Sequence, residues 1–408
     1  MVIVMSYIIN RLDDYGRGIT NINGKTCFVV NALPNEEVDI EILNEKKNYI
    51  EAVAKVIKED KKRKKVECPF YLRCGGCNIM HMGYETQLRF KEDKIKNILL
   101  KFSRIEGVVE SIISSNEFNY RNKVILKVKN GKLGFYKDKS NDLVVIDKCL
   151  LCKNSINKTI NLLNKLDLSS LNEILIRSNY KDEILLCLYG NNINVEYFSK
   201  INVSNLVIID NNKKIIVNGN DYIIDKIGNK LFKISMYSFF QVNYLTVEKL
   251  YNIVYEYSCL SGKENVLDLY CGTGTIGTFL SEKAKNVFGI EINRSAINDA
   301  NFNKKINNVN NINFLCSDVG LVKKKFKNID LVVIDPPRSG LSKSALDNVL
   351  DIMPQKIIYV SCNPITLARD LNVLKDYYMV KKIRPVDMFP NTYHVETVSV
   401  LCHRTIEK

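Results

Sequence analysis

The chain has 408 residues, more than one ordinary hydrophobic core accommodates, so two or three domains are expected. With 59 Lys and Arg against 45 Asp and Glu the formal net charge is +14, which favours a polyanion such as nucleic acid over a small acidic metabolite as partner. No apolar run is long enough to cross a membrane, residues 1–9 have neither a cationic flank nor a small-residue cleavage site, and 12 cysteines argue for thiolate chemistry or a metal; the expectation is a cytoplasmic chain with no membrane partner and no obligate protein partner.

Residues 1–58 alternate short apolar runs with turn residues: Tyr7-Ile8-Ile9, Gly16-Arg17-Gly18-Ile19, Thr26-Cys27-Phe28-Val29-Val30, Val38-Asp39-Ile40-Glu41-Ile42 and a last run over 50–56. Short strands at this spacing predict a small barrel of the oligonucleotide-binding kind. The run Lys61-Lys62-Arg63-Lys64-Lys65 follows as a boundary, either a phosphate-contacting linker or a solvated stretch. Residues 59–230 combine strand-like pieces at 123–128 and 183–188 with an amphipathic helical pattern over 87–100, which reads as an α+β middle domain. From 231 to 408 apolar strands at 265–269, 286–291, 331–335 and 356–360 alternate with helical stretches. Continuous apolar strands separated by helices predict an α/β doubly wound parallel sheet, with ligands at the C-terminal strand ends.

Three groups of residues carry chemistry. In Cys68-x5-Cys74-Gly75-Gly76-Cys77 three thiols come close together, and the glycines let the backbone fold tightly around a soft metal. A tetrahedral zinc needs a fourth ligand, for which His81, Cys149 and Cys152 are candidates; a four-iron cluster also takes four thiolates, and spacing leaves both open. In the C-terminal part the first strand runs into Cys271-Gly272-Thr273-Gly274-Thr275-Ile276-Gly277, and the next ends in Glu291, able to bind ribose hydroxyls. That loop serves nicotinamide or flavin dinucleotides and S-adenosylmethionine alike. Cys271 is read as structural, since its place in the loop calls for a small residue. Asp335-Pro336-Pro337-Arg338 puts a carboxylate and rigid carbonyls at a strand end where a planar base could dock.

The third group is Val360-Ser361-Cys362-Asn363-Pro364 with His394-Val395-Glu396. A thiol paired with a carboxylate suits alkylation of uracil C5, a poor nucleophile until a thiolate adds at C6. The C5 proton must then be removed before the thiol can leave. Cys362 is the expected nucleophile and Glu396 the expected base.

Assembled, these residues resemble the bacterial RNA uracil-5 methyltransferase family, most closely its 23S ribosomal RNA 5-methyluridine type, over nearly the whole chain. The resemblance implies a Rossmann-like class I methyltransferase domain (231–408), an N-terminal TRAM barrel (1–58) and a middle domain (59–230) holding a 4Fe-4S cluster. It implies Cys68, Cys74, Cys77 and Cys149 as cluster ligands, with Cys152 a bystander. In Phe239-Phe240-Gln241-Val242-Asn243 it places Gln241 at the cofactor or base, and it adds Tyr270, Glu291 and Asp335 as S-adenosylmethionine-site positions, with Cys362 and Glu396 as nucleophile and proton acceptor. Thr275 stands where members often have Asn, and Asn78-Ile79-Met80-His81 lacks the Gln often found before His. The implied reaction is methylation of an RNA uridine, in 23S ribosomal RNA before transfer RNA. The rivals are a dinucleotide-dependent oxidoreductase, which would need no Cys362 and Glu396 pair, and a non-catalytic RNA-binding iron-sulfur protein.

Overall fold

In the computed structural model, which describes residues 6–322, 326 and 328–407, the strongest apolar runs lie side by side in one sheet. Its strands stand in the order Ile312–Cys316, Asn286–Glu291, Asn265–Leu269, Leu331–Ile334, Lys356–Ser361, Glu396–His403 and Tyr378–Val386. The first five are mutually parallel; Glu396–His403 runs antiparallel to both of its neighbours. The pleat explains why these strands are apolar without interruption. Val333, Ile358 and Val360 enter one buried cluster, while Val332, Ile334, Ile357 and Tyr359 enter another on the opposite face. The alternating α/β pattern is therefore a doubly wound sheet, parallel but for its antiparallel last strand pairings, with loops at the C-terminal strand ends free to carry the site.

Helix Tyr84–Ser103 is contiguous in sequence with the middle segment but lies elsewhere. Ile95, Ile98 and Leu99 join the cluster that contains Tyr359 and Leu371, and the following chain bridges the sheet edge at Val109 with Ile383 and Ile113 with Val386. On the same helix Lys91 is fully buried, its ammonium 2.5 Å from Asp387 Oδ1 and 3.0 Å from the carbonyl of Phe389. Gln87 binds Asn391 through both its side-chain groups, donating to Oδ1 at 3.1 Å and accepting from the backbone N–H at 2.8 Å. This helix thus fixes the 387–394 loop that leads into Glu396.

A second seven-stranded sheet spans residues 123–218, in the order Lys213–Asn218, Asn205–Asp210, Ile184–Gly190, Leu171–Ser178, Lys123–Lys129, Lys132–Tyr136, Leu143–Val145. One face packs Leu126, Ile174 and Leu186 against Ile156 and Ile160 of helix Asn154–Leu163. The other face sends Leu175, Leu185 and Val207 into the same cluster as Val333 and Val360, so the two sheets share a core.

Near the N-terminus Gly18–Ile22, Lys25–Val30, Tyr49–Lys58 and Glu37–Glu45 form a sheet around Ile9, Cys27, Val29, Val38 and Ala52. Residues 7–8 pair with the Glu37–Glu45 strand and residues 11–12 with the Gly18–Ile22 strand, so one segment bonds to both ends of the sheet. The basic run is not one solvated stretch. Arg63 is withdrawn from solvent onto Glu36, with contacts of 2.6 and 2.7 Å, and donates to Asn31 O at 2.8 Å; Lys64 pairs with Glu117, leaving Lys61, Lys62 and Lys65 exposed. Among the described residues no helix is long and apolar enough to cross a membrane.

Candidate active site

Register decides the pairing of the thiol and the carboxylate. The last paired residues of the antiparallel strands Lys356–Ser361 and Glu396–His403 include Ser361 opposite Thr397, and Thr397 Oγ1 donates to Ser361 O at 3.2 Å. Cys362 follows the first and Glu396 opens the second, so the two lie next to each other beyond the last pair at the strand ends, where Glu396 acts on the thiol. Asn363 caps helix Pro364–Leu374, its Oδ1 accepting from Ile365 N–H at 3.1 Å, and its amide donates to Arg338 O at 2.9 Å. The turn after Asp335 is thereby tied to the cysteine loop.

The electrostatics follow from burial. The Cys362 thiol is pushed up to about 12 by burial and then by Glu396 and Asp335, against the pull of Arg338. Burial and the neighbouring Asp335 raise Glu396 to about 8, burial alone raises Asp335 to about 7, and Asp268 rises to about 8 through burial followed by Asp335 and Glu291. The free protein therefore holds several protons on carboxyls that would be ionised in water. A cation placed among them would release those protons. His394 is pushed down to about 4 by burial and by Arg338, Lys94 and Lys91, so it is neutral near pH 7.

The glycine loop is shaped by contact as well as by torsion. Gly274 has φ +77° at the helix start, and a Cβ there would lie 2.5 Å from the Phe314 ring. Tyr270 holds a φ of +61°, a costly conformation for a bulky residue, at the strand end where the loop begins. Gly272 N–H donates to Glu291 Oε2 at 3.2 Å and Asn293 N–H to Oε1 at 2.8 Å, which orients the carboxylate beside the loop. Asp268 was not singled out in the sequence, although it lies three residues before Cys271. Its Oδ2 accepts from Gly277 N–H at 3.0 Å, while Oδ1 is buried without a protein partner. Gln241 is buried in a loop held by Arg177, which donates to Ser238 O at 3.1 Å, and by Asn243, which donates to Met388 O at 3.0 Å. The structure thus gathers Glu291, Asp335, Cys362 and Glu396 at the strand ends, places Tyr270 at the loop start, and ties the Gln241 loop to the segment before Glu396.

Cys362 lines a cavity of about 190 Å³ together with Arg338, His394 and Val395. Asp14, Tyr15, Lys94 and Tyr393 line it too, and no sequence pattern marked these four. The other cysteines meet elsewhere: Cys68, Cys74, Cys77 and Cys149 line one cavity of about 500 Å³, bordered by Phe239, Phe240 and Val242 of the Gln241 loop. Burial raises Cys68, Cys74 and Cys77, and the other thiols of the set raise each further, whereas a hydrogen bond from Cys152 lowers Cys149. Cys152 is buried in the adjoining core, and His81 bonds the Tyr71 hydroxyl through Nδ1 at 2.6 Å outside the cavity lining. Among the described residues no three ligand side chains converge on a point where a single ion would sit.

Residues 83–404 match the family described as tRNA (Uracil-5-)-methyltransferase. An uncharacterized RNA methyltransferase of Clostridium tetani is 38% identical over 95% of this chain and 94% of its own length. One from Staphylococcus aureus is 34% identical over 94% and 95%. Among solved structures, the Pyrococcus abyssi tRNA (uracil-54, C5)-methyltransferase in complex with S-adenosyl-L-homocysteine is 28% identical, with a TM-score of 0.79 over 97% of this chain and 100% of that one.

Proposed function

Because the chain belongs to the S-adenosylmethionine-dependent RNA uracil-5 methyltransferases, we propose that it makes 5-methyluridine in 23S ribosomal RNA, with Cys362 as nucleophile and Glu396 as proton acceptor. The observation that supports this is the strand register: the antiparallel ladder ends at Ser361 opposite Thr397, with Cys362 and Glu396 the next residue of each strand. The Cys362 thiol loses its proton to water, its thiolate Sγ adds to uracil C6, and the C5–C6 π electron pair moves onto C5 and O4. C5 then takes the methyl group from the sulfonium of S-adenosylmethionine, whose sulfur keeps the bonding pair. Glu396 accepts the C5 proton, the C5–C6 double bond re-forms, and the Cys362 thiolate departs. Glu291, Asp335, Tyr270 and Gln241 are assigned to binding the cofactor and the base, and the raised carboxyls Asp268 and Asp335 suit a cationic donor.

The N-terminal sheet, with one segment bonded to both of its ends, supports a TRAM-like barrel that grips RNA. Cys68, Cys74, Cys77 and Cys149 would hold a 4Fe-4S cluster, which would supply positive charge to four mutually repelling thiolates and brace the Gln241 loop without a redox step. A transfer RNA uridine is the second reading, favoured by the likeness to the Pyrococcus abyssi enzyme.

The test is release of tritium from RNA labelled at uridine C5, with S-adenosylmethionine, using 23S ribosomal RNA and transfer RNA in parallel and wild type beside Cys362→Ala. Release from ribosomal RNA that needs both cofactor and Cys362 supports the proposal. Release from transfer RNA alone moves the target, and release independent of Cys362 overturns the mechanism.

A further inference from the structure

The turn at residues 13–17 belongs to the N-terminal sheet, yet it reaches the cavity that holds Cys362. It is built to hold its shape. Asp13 Oδ1 accepts the N–H of Tyr15 at 2.9 Å and of Arg17 at 2.8 Å, and the Arg17 guanidinium returns to Asp13 Oδ2 at 2.7 Å. Gly16 at φ +77° presses against Ile79, whose methyl would lie 2.3 Å from an added Cβ, so the turn is docked on the segment after Cys77. A turn this constrained projects Tyr15 in one direction.

The Tyr15 ring is not spent on the core, being 49% exposed. It meets the ring of Tyr393 edge-on, with centroids 5.2 Å apart at 80°. Lys94 stands 5.0 Å from the Tyr393 centroid and donates to its carbonyl at 3.1 Å. Exposure falls inward: Tyr15 and Arg338 are exposed, Cys362 is half-buried and Val395 is fully buried. At about 190 Å³ the cavity is smaller than the roughly 300–1,000 Å³ of drug-sized ligand sites, a space for one ring at Cys362 with the next base left at the mouth. An exposed aromatic ring and an exposed guanidinium, Arg338, lining one cavity are the chemistry that holds a nucleobase and its phosphate, while the buried Lys94 fixes the Tyr393 carbonyl from behind.

We propose that Tyr15 is a base-stacking residue, supplied by the N-terminal domain, that holds the RNA base flanking the target uridine at the cavity mouth while Arg338 faces its phosphate. The inference rests on the uridine methyltransferase reading. It makes the N-terminal domain a wall of the active site as well as an RNA grip.

Tritium release is measured with wild type, Tyr15→Ala and Tyr15→Phe, on the RNA that wild type uses and on the same RNA made abasic on either side of the reacting uridine. Loss of one stacking contact raises the KM for RNA about 5- to 150-fold with kcat held, and Tyr15→Phe restores it. On the RNA lacking the stacked base, wild type and Tyr15→Ala converge, a convergence that a merely structural tyrosine would not produce. Unchanged KM in Tyr15→Ala overturns the proposal, as does an equal loss in Tyr15→Phe or a loss that persists unchanged on both abasic RNAs. No release by wild type overturns the methyltransferase reading and this inference with it, whereas wild-type release with an indifferent Tyr15 overturns this inference alone.

Discussion

Cys362 and the set Cys68, Cys74, Cys77 and Cys149 stand in two cavities that surround a thiol with different neighbours. Around Cys362 the strand ends supply carboxyls, Glu396 and Asp335, so burial and like charge hold the proton on sulfur, and Arg338 is the counterweight. In the other cavity the neighbours of each thiol are further thiols, with Arg121 and Lys148 acting against them; Cys68, Cys74 and Cys77 are pushed up by burial and by one another, whereas Cys149 is pushed down by its hydrogen bond from Cys152. The difference teaches that a buried cysteine is specified by what faces it. One thiol against one acid is suited to forming and breaking a carbon–sulfur bond; four thiols against one another are suited to a metal group.

The comparison breaks most visibly at Cys362. Cys362→Ala should abolish turnover, a loss of at least about 10⁴-fold in tritium release, while leaving iron content and S-adenosylmethionine binding intact. Glu396→Gln should lower turnover by about 10²- to 10⁴-fold yet still form the Cys362 adduct, so a covalent protein–RNA band on denaturing gels should build up that Cys362→Ala never shows. If Glu396→Gln fails to form the band, the carboxylate also activates the thiol and the two roles merge.

Between the two cavities runs the 387–394 loop, where Asn391 O accepts from Asn78 N–H at 3.1 Å and Ile79 N–H at 3.2 Å just after Cys77. Lys91→Met would leave the buried Asp387 without its cation, held by the Tyr84 hydroxyl and the Phe389 N–H, and should cost about 3–5 kcal/mol in chemical unfolding; a small effect would show that the loop is held by the cysteine side. Cys149→Ser should lower iron content and thermal stability, whereas Cys152→Ser should keep the iron, and equal losses in both would undo the assignment of Cys152 to the core.

The smallest effect concerns pH. Asp268, Asp335 and Glu396 have folded values of about 8, 7 and 8, above the ordinary carboxylate range near 4. The folded protein keeps protons that the unfolded chain has lost, so their stabilisation is full below about pH 4 and is lost as pH rises through 7 to 8. Without cofactor, the thermal midpoint should therefore fall between pH 6 and 9, and Glu396→Gln should flatten that slope. A rising midpoint would place these carboxyls among cations instead.

How much was legible in the sequence varies with the range of the interaction. Strand identity was readable, since Val332, Val333 and Ile334 must be buried on both faces and an uninterrupted apolar run says so. The glycine loop and the strand ending in Glu291 were readable because each is a short local pattern, whereas Cys362 and Glu396 stand in two separate segments whose meeting no local pattern states. Sequence order was a poor guide to where helix Tyr84–Ser103 packs, because its buried face of Ile95, Ile98 and Leu99 fits any apolar groove. Arg63 reads as one more charge in a basic run, and only folding shows it paired with Glu36.

The sequence by itself determined the alternating α/β pattern and the chemistry-bearing residue types, for those depend on spacing and side-chain chemistry alone. Only the tertiary structure decided that Cys362 lies next to Glu396 through an antiparallel register, that Asp335 and Asp268 share their electrostatics, and that Tyr15 reaches the cavity across more than three hundred residues of chain. The reason is physical: desolvation and charge coupling act through space, and neither distance along the chain nor composition encodes them.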